Sequence, residues 1–263
     1  MLIVTLMENT SSRDDLVAEH GLSLYIEAGG RKILFDSGQT DGFIANAETL
    51  GIDLSAVDLA ILSHGHYDHS GGFHRFLDIN DHAPLYMSQY ATSPCYHGSD
   101  RYIGIDSQLA LSDRVILCED DVRISDTISL HSCNKMSRPF PVDSAGLTVL
   151  QNKEYKDDCF YHEQYLLIKE DGKKVLISGC SHKGILNIAQ WFQPDVLIGG
   201  FHFMNLDPNT SDKDTLYDAA HNLMKYDTVY YTGHCTGSEQ YAYMKQIMGE
   251  TLHPITCGTT III

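Results

Sequence analysis

The chain has 263 residues, with 18 Lys and Arg against 35 Asp and Glu, giving a formal charge of −17. A chain of this length buries a sizeable core, and with no linker interrupting it we expect one domain over 1–263. So acidic an exterior, without a basic stripe, argues against a protein that tracks nucleic acid but leaves small anions open as ligands. Seven cysteines at irregular spacing, none in a CxxC pair, predict a reducing compartment, the cytoplasm, rather than a disulfide framework. The opening Met1-Leu-Ile-Val-Thr-Leu-Met-Glu8 lacks the basic region of a signal peptide, and no apolar run is long enough to span a membrane.

Residues 2–7, 22–28 and 31–36 read as strands, with Gly29-Gly30 as the two-residue turn joining the second to the third. Residues 41–50 predict a helix, Val57-Asp-Leu-Ala-Ile-Leu-Ser63 a short buried strand, and Phe73–Asp78 a short helix. Residues 93–144 are the least regular: Ser93-Pro-Cys, Gly98-Ser-Asp and Arg138-Pro-Phe-Pro141 punctuate weak strands at 114–118 and 124–130. That segment reads as an insertion or lid bordering a site. Strands at 146–150, 164–169, 174–178, 195–198 and 228–232 then combine with helices over 183–193, 212–225 and 237–248. Ser211 with Asp214, and Thr236 with Glu239, have the spacing of capping boxes at the last two helix starts.

Between the 57–63 strand and the Phe73 helix lies Ser63-His-Gly-His-Tyr-Asp-His-Ser70, which packs His64, His66, Asp68 and His69 into six residues. So short a cluster cannot occupy one helix face, and it reads as a loop folded around metal. Imidazole and carboxylate suit Zn, and also Fe or Mn, while Gly65 lets the backbone turn sharply. Three later segments repeat the grammar of apolar strand, Gly, then His: Lys174-Val-Leu-Ile-Ser-Gly-Cys-Ser-His182, Asp195-Val-Leu-Ile-Gly-Gly-Phe-His202 and Thr228-Val-Tyr-Tyr-Thr-Gly-His234. Ligands of layered α/β folds collect beyond the carboxyl ends of strands, so these histidines are expected to converge. His20, His74, His82, His97, His131, His221 and His253 lack that context and are assigned to surface or ordinary packing. No Walker loop, dinucleotide fingerprint or Gly-x-Ser-x-Gly elbow opens a helix, which leaves metal as the chemical engine.

The pattern His-x-His-x-Asp-His after a strand resembles the signature of the metallo-β-lactamase-fold superfamily. Leu6-Met-Glu-Asn-Thr10, Gly21-Leu-Ser-Leu24, Ile33-Leu-Phe-Asp-Ser-Gly-Gln39, Glu163-Gln164, Ser178-Gly-Cys-Ser-His-Lys-Gly184, Gly199-Gly-Phe-His202 and Gly233-His-Cys-Thr-Gly237 resemble, within it, the group typified by a dihydropterin-(ribofuranosyl)aminobenzene-phosphate synthase. The resemblance implies an α/β fold, a four-layer αββα sandwich with one or two divalent metals at one edge. Carried over by position, it implies His64 and His66 on one metal, Asp68 and His69 on the other, and His234 as the closing ligand. The strand end that reads Gly-Asp in the superfamily reads Gly179-Cys180 here, so the bridging carboxylate is absent. Cys180 stands open between a thiolate ligand and a small buried hydrophobe, and His182 is expected to replace part of the lost set. His202 is left between a metal ligand and an outer, substrate-facing or structural role, and Glu163 between a ligand and an orienting group. His162 stands where a third histidine of the superfamily falls. Asp36 is either a turn carboxylate or an acceptor that orients a metal-bound His.

The resulting expectation is a metal-dependent hydrolase or transferase acting on a small anionic substrate, phosphorylated and pterin-like if the resemblance extends that far. Asp68 would accept a proton as the catalytic group while holding its metal. No nucleic-acid or membrane partner is expected. The absent carboxylate motivates an alternative, a catalytically inactive metal- or ligand-binding protein. A third reading, redox chemistry at iron, would need a flavin-bearing partner.

Overall fold

Successive residues of a strand point to opposite faces of its sheet. In the computed structural model, which describes residues 1–263, both faces of two large sheets are buried. The first sheet orders its strands Thr260–Ile262, Leu2–Met7, Ser23–Ala28, Arg31–Phe35, Leu59–Ile61, Leu85–Ser88 and Val115–Cys118. The second orders them Leu252–Pro254, Val229–Thr232, Val196–Ile198, Lys173–Ile177, Tyr165–Glu170, Ile128–His131 and Asp121–Arg123.

Alternation along these strands builds the layers. Ile33, Phe35, Leu59 and Ile61 of the first sheet meet Leu166, Ile168, Val175 and Ile177 of the second in a central core. Leu34 and Ala60 point the other way, onto Phe43 and Ala47 of the helix Gly42–Thr49 and Phe73 and Phe76 of the helix Phe73–Ile79. On the far side, Leu167, Leu176 and Leu197 pack on Ile188, Leu216 and Met244, from the helices Ile185–Phe192, Asp212–Leu223 and Ser238–Met248. Helix, sheet, sheet, helix is the αββα sandwich of the α/β class that the resemblance implied.

Several elements depart from expectation. The 57–63 strand pairs only over Leu59–Ile61, after a 3-10 turn at Leu54–Ala56, which frees Ser63 to serve the site. Leu85–Ser88, Glu154–Asp157 and Thr260–Ile262 are strands that pattern alone did not reveal. The irregular segment 93–144 divides. Val115–Cys118, Asp121–Arg123 and Ile128–His131 belong to the sandwich, whereas Cys95–His97 and Arg101–Tyr102 join Leu147–Gln151 and Glu154–Asp157 in a separate four-stranded sheet. The expected 124–130 strand breaks because Ser125 Oγ accepts the backbone N–H groups of Thr127 and Ile128, closing a turn. Neither capping box forms. Thr236 Oγ1 accepts instead the N–H of Phe201 at 2.9 Å, Gly237 takes the N-cap position, and Ser211 makes no side-chain cap.

Candidate metal centre

Lys173–Ile177, Val196–Ile198 and Val229–Thr232 run parallel, so their carboxyl ends open on one edge of the second sheet. The loop after Leu59–Ile61 meets that edge closely: a Cβ on Gly179 would fall 2.2 Å from Ser63 Oγ, an approach only glycine permits. His64 and His66 lie before a single helical turn, Tyr67–Ser70, that carries Asp68 and His69. The expectation of a pure loop is corrected to that extent, because one turn of helix swings Asp68 and His69 away from His64 and His66. The small sheet clasps this loop, with Tyr67 N donating to Ile103 O at 3.0 Å and His66 forming a bridge to Gly104.

Two groups of ligand atoms result. In the first, His64 Nε2 lies 3.3 Å from His182 Nε2, and His66 completes a trio whose ligand atoms lie within 4.8 Å of one another. In the second, Asp68 Oδ2 lies 3.7 Å from His69 Nε2 and 3.4 Å from His234 Nε2, and the two imidazole nitrogens are 3.1 Å apart. Cys180 Sγ stands 3.2 Å from His69 Nε2.

Hydrogen bonds behind the rings fix which nitrogen faces inward. Asp36 accepts from Ser63 N and Ser63 Oγ, both at 2.7 Å, and from His69 Nδ1 at 2.7 Å. Since the Ser63 hydroxyl donates to Asp36, its oxygen accepts from His64 Nδ1 at 2.8 Å. His234 Nδ1 donates to Asn9 Oδ1 at 2.8 Å, and the His234 backbone N–H donates to Glu8. Each of these rings therefore turns Nε2 to the centre as a lone pair. The inward lone pairs of His69 and His234, 3.1 Å apart, repel unless a cation lies between them. His66 Nε2 is moreover buried without a hydrogen-bond partner in the protein, a costly state for a polar atom. The residues fit a metal.

The electrostatics agree. Burial, reinforced by neighbouring imidazoles, lowers the pKa values of His64 and His182 far below the ordinary range and that of His66 to about 3. Burial takes His234 to about 4 even though Asp68 opposes it, so these four rings are neutral and able to ligate. Burial would raise Asp68, yet His69, His20 and His234 together hold it well below the usual carboxylate range, so it stays ionised. His69 differs. Burial disfavours its charged form, but Asp36 and Asp68 outweigh that and raise its pKa, which marks the second group as a place where positive charge is favoured.

The remaining candidates separate by contact. Glu163 is an orienting group: its carboxylate accepts the N–H groups of His182 at 2.6 Å and Lys183 at 2.9 Å and the Tyr165 hydroxyl at 2.6 Å, fixing the loop that presents His182. Both His162 nitrogens are engaged, Nδ1 by Gly65 N at 3.1 Å and Nε2 by Asp158 at 3.0 Å. His202 joins neither trio and packs tilted against His182 with ring centroids 4.3 Å apart. Asp36 is the acceptor behind His69. Two residues escaped the sequence reading. Asn9 braces His234, and His20, assigned to surface or packing, places Nε2 3.2 Å from Asp68 Oδ2 with its side chain 42% exposed. Asn9 lies inside Leu6-Met-Glu-Asn-Thr10, so the segment was noticed, but nothing in it signals a partner 225 residues away.

The centre opens on a cavity of about 380 Å³ lined by His20, Asp68, Cys180, His182, His202 and His234, with Arg101 as its only Lys or Arg. Arg101 Nη2 donates to the Tyr67 hydroxyl at 3.1 Å. A second cavity of about 660 Å³, walled by Phe140, Val142, Leu186, Phe201 and Phe203, adjoins it across His182 and His202.

Comparison with known proteins agrees with this geometry. Residues 17–136 match a family model of the metallo-beta-lactamase superfamily. An uncharacterized protein of Methanocaldococcus jannaschii is 27% identical, the match covering 94% of each chain. The 7,8-dihydropterin-6-methyl-4-(beta-D-ribofuranosyl)-aminobenzene-5'-phosphate synthase of the same organism is also 27% identical, over 84% of this chain and 82% of that one. Among solved structures, Tm1679, described as a metal-dependent hydrolase of the beta-lactamase superfamily, superposes with a TM-score of 0.84 at 26% identity, covering 100% of this chain and 99% of that one.

Proposed function

Because the chain belongs to the metallo-beta-lactamase superfamily, whose members are for the most part metal-dependent hydrolases, we propose that it hydrolyses a small anionic substrate, a phosphorylated compound foremost. The observation that carries this reading is the pair of inward-facing trios, His64/His66/His182 and Asp68/His69/His234, of which His66, His182, Asp68 and His234 line one ligand-sized cavity. Each trio would hold one divalent ion, zinc in preference. When bound, such ions supply Lewis acidity, polarising a phosphoryl or carbonyl oxygen and easing ionisation of a water.

The chain's own groups do the rest. Arg101 at the cavity wall attracts and orients the anion, which the overall charge of −17 would otherwise repel. Asp68, ionised and facing the cavity, takes the proton of the attacking water, and His20 on its solvent side donates a hydrogen bond to the same carboxylate. His202, at the threshold of the second cavity, is positioned to meet the substrate rather than the metal. A reducing compartment, the cytoplasm, fits a site that must keep Cys180 and Cys235 reduced.

Elemental analysis joined to a panel of phosphomonoesters and phosphodiesters tests the reading. Two metals per chain are expected, with turnover abolished by chelation, restored by zinc and inhibited by inorganic phosphate; Arg101→Ala should weaken that inhibition. One tightly held metal without turnover across the panel would favour the non-catalytic binding protein. The second cavity supports one other reading, group transfer between two bound substrates, a pterin-like one among them, as the synthase relative's name suggests for that enzyme.

A further inference from the structure

We propose that the second cavity receives the body of the substrate and that this body is an uncharged aromatic group, so that the substrate is an aryl phosphate ester lying across both cavities with its anionic head at the metal centre. This rests on the hydrolytic reading above and deepens it.

The two cavities share a wall and differ in chemistry. Ala145, His182, His202 and Asn205 line both, so a ligand reaching from one into the other passes the tilted pair of imidazoles. Arg101 serves the cavity of about 380 Å³. The cavity of about 660 Å³ has Phe140, Val142, Leu186, Phe201 and Phe203 in its walls, and its lining includes Asp143 and Asp218 but no Lys or Arg. A second anion would find no cation there, whereas three phenyl rings offer faces and edges to a planar group. The volume is that of an ordinary small-molecule site.

Both apolar walls are held by side-chain hydrogen bonds. On one side the Arg138-Pro-Phe-Pro141 segment is tied to the helix Ile185–Phe192. Asn187, fully buried, accepts the Phe140 N–H at 3.0 Å and donates to Phe140 O and Lys183 O, both at 2.9 Å. Trp191 Nε1 donates to Ser137 O at 2.9 Å. Gly184 lets this segment close in: its φ is +86°, and a Cβ there would fall 3.0 Å from Val142 Cγ2. On the other side Thr236 Oγ1 fixes Phe201, and Gln240 Nε2 donates to Met204 O at 3.3 Å and to Leu206 O, pinning the loop that presents His202 and Phe203. Walls set before a ligand arrives leave little ordering for binding to accomplish.

Inorganic phosphate and 1-naphthol, the two halves of such a substrate, test the assignment on the zinc-loaded protein without turnover. In calorimetric titrations each should bind with the other already present, since they occupy different cavities. 1-Naphthyl phosphate should bind at least about tenfold more tightly than methyl phosphate, a conservative increment for burying an aromatic ring. Leu186→Trp, which fills the cavity, should bring that preference within about threefold and abolish 1-naphthol binding; Phe203→Ala, which removes a wall, should lower both and serves where the bulkier variant does not fold. Competition between 1-naphthol and phosphate, equal affinity for the two esters, or 1-naphthol binding that survives both substitutions would overturn the aromatic site while leaving hydrolysis at the metal centre standing. Binding of 1-naphthol in this cavity by a protein that takes up neither phosphate nor its esters would instead sink the hydrolytic reading, and with it the anionic head of the proposed substrate.

Discussion

In the Asp68/His69/His234 trio both imidazoles are held from behind, His69 by Asp36 and His234 by Asn9, and His20 meets the same Asp68 oxygen that faces them. In the His64/His66/His182 trio only His64 has such a brace, the Ser63 hydroxyl, while the outer nitrogen of His182, Nδ1, is buried without a partner. A braced imidazole has its tautomer and rotamer set before metal arrives, so little ordering is left for binding to accomplish. An unbraced one is ordered by the metal itself. On the two-metal reading the second trio would be the tighter, preformed site and the first the looser one.

The largest test of this asymmetry is His69→Ala. It removes a ligand and also strips a fully buried carboxylate, Asp36, of its ring partner, a loss that breaking a buried pair puts at about 3–5 kcal/mol. His64→Ala, by contrast, leaves no charge stranded and should release one metal equivalent with a smaller loss of stability. Metal content and urea midpoints of the two variants decide the matter, and equal midpoints would contradict unequal bracing.

Stripping the first-trio metal alone from the unmodified protein should cost less than His69→Ala, about 2.7 kcal/mol if that site is loaded at a hundredfold excess over its Kd. Chelator titration should show two phases, the first-trio metal leaving before the second. The metal-free and loaded proteins melting together would mean that neither trio binds in the folded state.

Much of this was legible in the sequence, for a physical reason. His64, His66, Asp68 and His69 are contiguous, and His182, His202 and His234 each end an apolar run, so residue type and local pattern were enough to nominate them. Bracing is not local. Asn9 meets His234 and His20 meets Asp68 only after the sheets have paired, and a lone Asn or His in a loop carries no mark of that. The backbone at Asp36, Ser181, His202 and His234 is a second hidden layer: all four adopt positive φ, between 49° and 59°, a strained choice for non-glycine residues that clusters at functional sites. No periodicity anticipates it. The 93–144 segment misled for the opposite reason, since short strands broken by turn residues look irregular until their partners, distant in sequence, are known.

A milder test removes the brace and keeps the ligand. Asp36→Asn should weaken metal binding at the second trio about 10–100-fold, the usual consequence of losing an outer partner, and weaken the first trio less, because Asp36 reaches His64 only through the Ser63 hydroxyl. Competition with a chromophoric chelator separates the two sites, and equal weakening of both would show that the trios are not independent.

The smallest effect belongs to Phe160. Its ring stacks on His182 with centroids 4.7 Å apart and planes 14° from parallel, a near-parallel apolar wall for an imidazole whose Nδ1 has no partner. Stacking supplies contact area but no direction, so it restrains the tilt of the ring without fixing which nitrogen faces inward. Phe160→Leu should therefore reduce affinity at the first trio by less than tenfold, cost about 1 kcal/mol in packing, and leave the second trio unchanged. A loss as large as that from Asp36→Asn would mean that an apolar wall orients a ligand as firmly as a carboxylate does, and the contrast between the two trios would fail at its weakest member.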